Sequence, residues 1–162
     1  MITVYVWLPN WRKKNYGGHT SMLVSGLTYI SWWPADDRKL GNRSPIRNRK
    51  YSGDIVAEGG KPDWSIQLNG LDEQSILDWW EKFGLTKGNT WQGIPYLGEP
   101  DELLAGPLPP YNVIEQNCST VVASGLKQGG GDKYANSYDS WSVIWRPRTV
   151  LHFALSIQKG LG

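Results

Sequence analysis

Hydrophobic positions along this chain recur with two different periods, and the change of period separates strands from helices. Residues 2–8, ITVYVWL, are β-branched or aromatic and stop at Pro9, which predicts a strand. HTSMLV, beginning at His19, and TYISWW, ending at Pro34, flank Ser25-Gly26; two short apolar runs about a glycine turn predict a β-hairpin. Alternation then puts His19, Ser21 and Leu23 on one face of its first strand. The polar, Gly- and Asn-rich segment 35–53 reads as a long loop, and one short strand is expected at Trp64–Leu68.

LDEQSILDWWEKFG carries the helical period. Ile76, Trp79, Trp80 and Phe83 form its core face, Asp72 is placed to cap it, and Gly84 ends it. Residues 85–110 are too punctuated by Gly and Pro for a helix and read as an irregular connector. A second helix is expected in NCSTVVASGLKQGGG, with Asn117 as N-cap and the glycines at 129–131 stopping it after Lys127. A third covers 149–157, capped by Thr149. The order of elements implies one α+β domain spanning 1–162.

Composition agrees with a folded chain: 40% of the 162 residues are hydrophobic and 20% charged. Ten tryptophans call for a Trp-built core or a binding surface; Trp7, Trp64, Trp79 and Trp80 fit core positions. A net charge of +2 gives no polyanion preference, so nucleic acid is not an expected partner. Arg38, Lys39, Arg43, Arg47, Arg49 and Lys50 read as a solvated basic loop, with an anionic lipid surface or acidic partner as the sharper alternative. No leader or membrane-spanning run is visible, so the chain is expected to be cytoplasmic as made, without a signal peptide or transmembrane segment.

One cysteine excludes an intrachain disulfide and leaves either buried filler or a nucleophile. If Asn117 is the N-cap, Cys118 is the first helical residue, where the dipole and unpaired N–H groups favour a thiolate and a neighbouring oxyanion. A thiol nucleophile needs a base. His152 sits in the apolar turn Leu151-His152-Phe153 and reads as a surface or satisfied helix histidine, which leaves His19. The residue that orients the imidazole is open: Ser31 lies on the partner strand of the hairpin, and Asp36, Asp54 and Glu115 are alternatives. Trp32 and Trp33 follow the hairpin and are expected to line a cleft near His19, with Asn117, and with Trp91 and Tyr96 as a lip from the connector. Two distant histidines and one cysteine give no zinc spacing, and no cofactor is expected.

Gly18-His19 opening a hairpin and Asn117-Cys118 opening a helix resemble the permuted NlpC-type papain-like superfamily, which includes the lecithin:retinol acyltransferase-like enzymes. GHTSMLVSGLTYISWWP, NCSTVVASGLKQGG and the late Arg-Pro before a helix resemble members found in bacterial toxins and effectors, and Rho-inactivation-type domains belong to the same superfamily. The resemblance implies a circularly permuted papain-like fold, with His19 as base and Cys118 as nucleophile. It implies hydrolysis or transfer of a peptide, protein or lipid acyl group, and leaves room for an immunity protein or chaperone partner and for delivery by a specialised secretion system. The acyltransferase-like branch often has a second histidine where Ser31 stands here, which leaves the branch open. The other class of reading is a non-catalytic module of the same fold with a Trp-rich ligand cleft.

Overall fold

A computed structural model of the protein describes residues 1–10, 12, 17–34, 45–48, 50–82, 102–103 and 117–162. Its centre is an antiparallel sheet built from β1 (Ile2–Trp7), β2 (His19–Val24), β3 (Thr28–Pro34), β4 (Pro45–Asn48), β5 (Trp64–Leu68) and β6 (Glu102–Leu103). The strand order is β5-β1-β2-β3-β4-β6, which puts β1, β2 and β3 at its centre. The β2–β3 hairpin turns through Ser25 and Gly26, with φ of 56° and 70°, the left-handed pair that a tight hairpin favours.

Register divides the sheet into two unlike faces. Trp7 pairs with His19, Tyr5 with Ser21, and Ser21 with Ser31, so Tyr5, Trp7, His19, Ser21, Tyr29, Ser31 and Trp33 share one face. Ile2, Val4, Val6, Met22, Val24, Ile30 and Trp32 occupy the other and are buried. That apolar face carries α3 (Cys118–Gln128) over β2 and β3 and α5 (Pro147–Leu161) over β1 and β5, while α2 (Glu73–Lys82) packs on α3. Val121, Val122, Leu126, Phe153, Ile157, Ile76 and Trp80 from these helices close the core. Among the described residues three short pieces remain, α1 (Tyr51–Glu58), a 3-10 turn at Gly131–Lys133 and α4 (Ser137–Ser140).

The α+β expectation holds, and several local expectations need correction. The segment 35–53 contains β4 and the start of α1 rather than a continuous loop. Periodicity misses α1 because its buried residues are Asp54 and Glu58, while Val56 is 80% exposed; its inward face is polar. The last helix starts at Pro147 rather than at a Thr149 cap, since proline is already suited to the first helical position. Trp64, expected in the core, is 46% exposed at the end of the edge strand. Asp72 does cap α2, its Oδ1 accepting the Ser75 N–H at 3.0 Å. Gly129, expected to stop α3, is its C-cap, one residue later than the predicted stop after Lys127. Phe83 and Gly84 and nearly all of the 85–110 connector lie outside the described residues.

Candidate active site

The site begins with two local structures that each fix one reactive side chain. Asn117 has extended backbone, its Oδ1 accepts the Thr120 N–H at 3.0 Å, and Thr120 Oγ1 accepts the Asn117 N–H at 3.3 Å. This reciprocal cap makes Cys118 the first residue of α3, with the N–H groups of Cys118 and Ser119 leading the helix. Gly18 positions the other half. Its φ is +68°, and a Cβ there would lie 2.4 Å from the Trp7 carbonyl and 3.0 Å from Pro147 Cγ. Only glycine fits that corner, and His19 follows it as the first residue of β2. Gly18→Ala is expected to cost about 2 kcal/mol or more, read as a lowered urea midpoint.

These two ends meet. Cys118 and His19 lie close enough for each to shift the ionisation of the other, and the Cys118 sulfur is 4.0 Å from Ser119 Oγ. Beside them, Thr20 Oγ1 donates to Ser119 Oγ at 3.3 Å and ties β2 to α3. His19 Nε2 lies 2.9 Å from Ser31 Oγ and 3.1 Å from Asp54 Oδ2. His19 is 1% exposed and Asp54 fully buried.

The Asp54 carboxylate gathers donors from β2 and β3. Oδ2 accepts from Tyr29 at 2.5 Å, Ser31 at 2.7 Å and His19, and Oδ1 accepts the Trp33 Nε1–H at 2.8 Å. Tyr29 in turn is held by Ser21, at 2.6 Å. The Trp33 ring stacks on the imidazole with centroids 4.2 Å apart, so one side chain contacts both the base and its carboxylate. Trp7 lies on the imidazole at 5.7 Å, and Tyr51 from α1 packs on Tyr5 at 4.5 Å, which completes an aromatic layer around the polar triad.

The electrostatics follow from this packing. Burial pushes the Asp54 carboxyl up, but His19 and the hydroxyl donors outweigh it and hold it at about 2. Burial pushes the imidazole down, and the charges of Cys118 and Asp54 reverse this and raise it to about 10. The Cys118 thiol is likewise pushed up by burial, yet His19 and the Thr20 N–H bring it below its ordinary value. Both shifts favour thiolate beside imidazolium. Glu58, one turn beyond Asp54 on α1, is raised to about 7 by burial, partly offset by His19 and reinforced by Asp54 and Asp63.

Of the expected site residues, His19, Ser31 and Trp33 come together, and Asp54 joins them from α1 rather than from a loop, while Cys118 heads α3 beside them, tied in through the Thr20–Ser119 contact. Trp32 does not line the site. Strand alternation turns it to the opposite face, where it is 1% exposed in the core. Asn117 acts as the cap, and its Nδ2 donates to the Trp145 carbonyl at 3.2 Å. Trp91, Tyr96, Asp36 and Glu115 lie outside the described residues. His152 is exposed on α5. Ser21 lies on the His19 face as alternation along β2 predicts, and Tyr29, which the sequence did not single out, joins that face from β3. Among the described residues no cluster of His, Cys, Asp or Glu could hold a metal ion, and no helix is long and apolar enough to cross a membrane.

Residues 101–161 match the family described as the IcsB middle domain. That stretch contains Cys118 and its helix but neither His19 nor Asp54, and it is less than half of the chain. No curated protein and no solved structure matches the sequence.

Proposed function

We propose that the protein is a thiol-dependent hydrolase or acyl/amide transferase on a circularly permuted papain-like fold of the NlpC type. The observation that carries this reading is the buried His19 ring, bonded at Nε2 to Asp54 and Ser31 and close enough to Cys118 for each to shift the ionisation of the other. Cys118 is the nucleophile, His19 the acid–base group, and Asp54 with Ser31 the pair that fixes the tautomer of the ring. The Cys118 thiolate attacks a carbonyl carbon, forming a C–S bond, while N–H groups at the start of α3 stabilise the oxyanion. Collapse breaks the bond to the leaving group, which takes the proton from His19. Water, an amine or an alcohol then gives a proton to His19 and attacks the thioester, releasing Cys118. Peptide, protein and lipid acyl groups all fit this scheme.

A role as a bacterial effector is supported by the match to the IcsB middle domain and by the toxin-like motifs. Delivery from the producing cell and an immunity protein or chaperone partner belong to the same reading. One observation favours the alternative, a non-catalytic binding module: Cys118 is only 7% exposed. Intact-mass measurement after exposure to a p-nitrophenyl acyl ester separates the two. An enzyme gains one acyl group on Cys118 and Cys118→Ala gains none; a wild type that stays unmodified contradicts the proposal.

A further inference from the structure

The segment that begins in α4 presents apolar side chains that the core does not use. Tyr138 is 90% exposed, Trp141 82%, Val143 95% and Ile144 43%. Isolated exposed apolar residues are ordinary, but this run is concentrated within residues 138–144. Nor is the segment slack. The Trp141 N–H donates to the Ser137 carbonyl at 3.2 Å, Ser142 Oγ donates to the Ile144 carbonyl at 2.9 Å, and Thr149 Oγ1 reaches the same carbonyl at 3.5 Å. Trp145, 8% exposed, then anchors the segment by packing on Phe153. The chain thus orders a turn whose aromatic and aliphatic tips protrude into solvent.

Charge accompanies the apolar tips. Arg146 and Arg148 follow directly and are exposed. The acid in the segment, Asp139, is tied to Asn136, which donates to its Oδ2 at 2.6 Å and accepts its N–H at 2.9 Å. Tryptophan and tyrosine suit the headgroup level of a bilayer, and arginine suits an anionic surface. The near-complete exposure of Val143 and Tyr138 makes a protrusion, which inserts into a deformable interface more readily than it fits a rigid groove.

We propose that residues 138–148 form a docking surface for an anionic lipid membrane. The surface borders the end of the molecule that carries His19 and Cys118: the Trp145 carbonyl accepts from Asn117, and Pro147 abuts Gly18. Docking there would bring that end to the lipid surface. The inference stands apart from the thiol chemistry, because binding needs no turnover.

The test is co-sedimentation of the full chain with phosphatidylcholine vesicles, with and without phosphatidylserine, at low salt. The wild type is expected to partition onto the phosphatidylserine vesicles. Trp141→Ser with Val143→Ser should weaken this about tenfold or more, because the buried apolar area is lost. Arg146→Gln with Arg148→Gln should weaken it about 25-fold, at roughly fivefold per cation. Both variants should keep the wild-type urea midpoint and the Cys118 alkylation rate. A wild type left in the supernatant overturns the proposal. So does binding that survives either pair of substitutions unchanged, since the surface needs both its apolar tips and its charge.

Discussion

Asp54→Asn is expected to slow acylation of Cys118 by a p-nitrophenyl ester by about 10³–10⁴ at neutral pH, with the chain still folded. The amide keeps the shape of the carboxylate, but it removes the charge that faces His19. It also sets an N–H₂ against donors from His19, Tyr29, Ser31 and Trp33. The imidazolium loses its counter-charge and the ring its fixed tautomer. Asp54→Ala leaves the same buried donors without their shared acceptor, and a cost of about 3–5 kcal/mol is expected in urea unfolding. The two readouts separate chemistry from architecture. An asparagine variant that acylates within a few-fold of wild type would remove Asp54 from the reaction and leave it a structural role.

The second large effect is a pH profile that depends on the leaving group. Cys118 is shifted below its ordinary value by His19, and His19 is raised to about 10, so each charged form favours the other. Acylation by a p-nitrophenyl ester should rise as the thiolate forms and then hold, because nitrophenolate leaves without a proton. With a p-nitroanilide of the same acyl group, the amine must be protonated as it leaves, and the rate should fall as His19 loses its proton through about 10. Equal alkaline limbs for the two substrates would contradict the role of His19 as acid.

Stability follows the same titrations. The raised His19 contributes fully below about 6.5, and this is lost as the pH rises through about 10. The lowered Asp54 contributes fully above about 3.9, and this is lost as the pH falls through about 2. Glu58 acts in the opposite sense to Asp54: its contribution is present below about 4.3 and is lost as the pH rises through about 7.

The legible parts of this protein are those in which local chemistry and tertiary role agree. β1, the hairpin and α2 bury apolar residues at strand or helix period, and Asn117 forms the cap that places Cys118 first in α3. His19 and Cys118 could therefore be placed at the starts of β2 and α3 from motif and element ends alone. α1 hides because it inverts the pattern, burying Asp54 and Glu58 while Val56 faces solvent. That inversion kept Asp54 one alternative among several, since a residue read into a loop has no defined direction. Trp32 and Trp33 show the opposite case. The alternation that puts His19, Ser21 and Leu23 on one face also sends Trp33 to the imidazole and Trp32 to the core, so reading both into one cleft overlooked the strand. Trp64 adds that a strand period says nothing of whether its strand lies at an edge.

The central claim is that His19 holds Cys118 as a thiolate, and the most direct measurement is the rate of Cys118 alkylation by iodoacetamide across pH 4–9 in wild type and His19→Ala. An unassisted thiol is only about 0.3% ionised at pH 6. The wild type should react at that pH, and His19→Ala should be slower there by about two orders of magnitude, converging on wild type as the pH approaches that of a free thiol. A Cys118 that is inert in both proteins, or equally reactive in both, would contradict the thiolate–imidazolium pair.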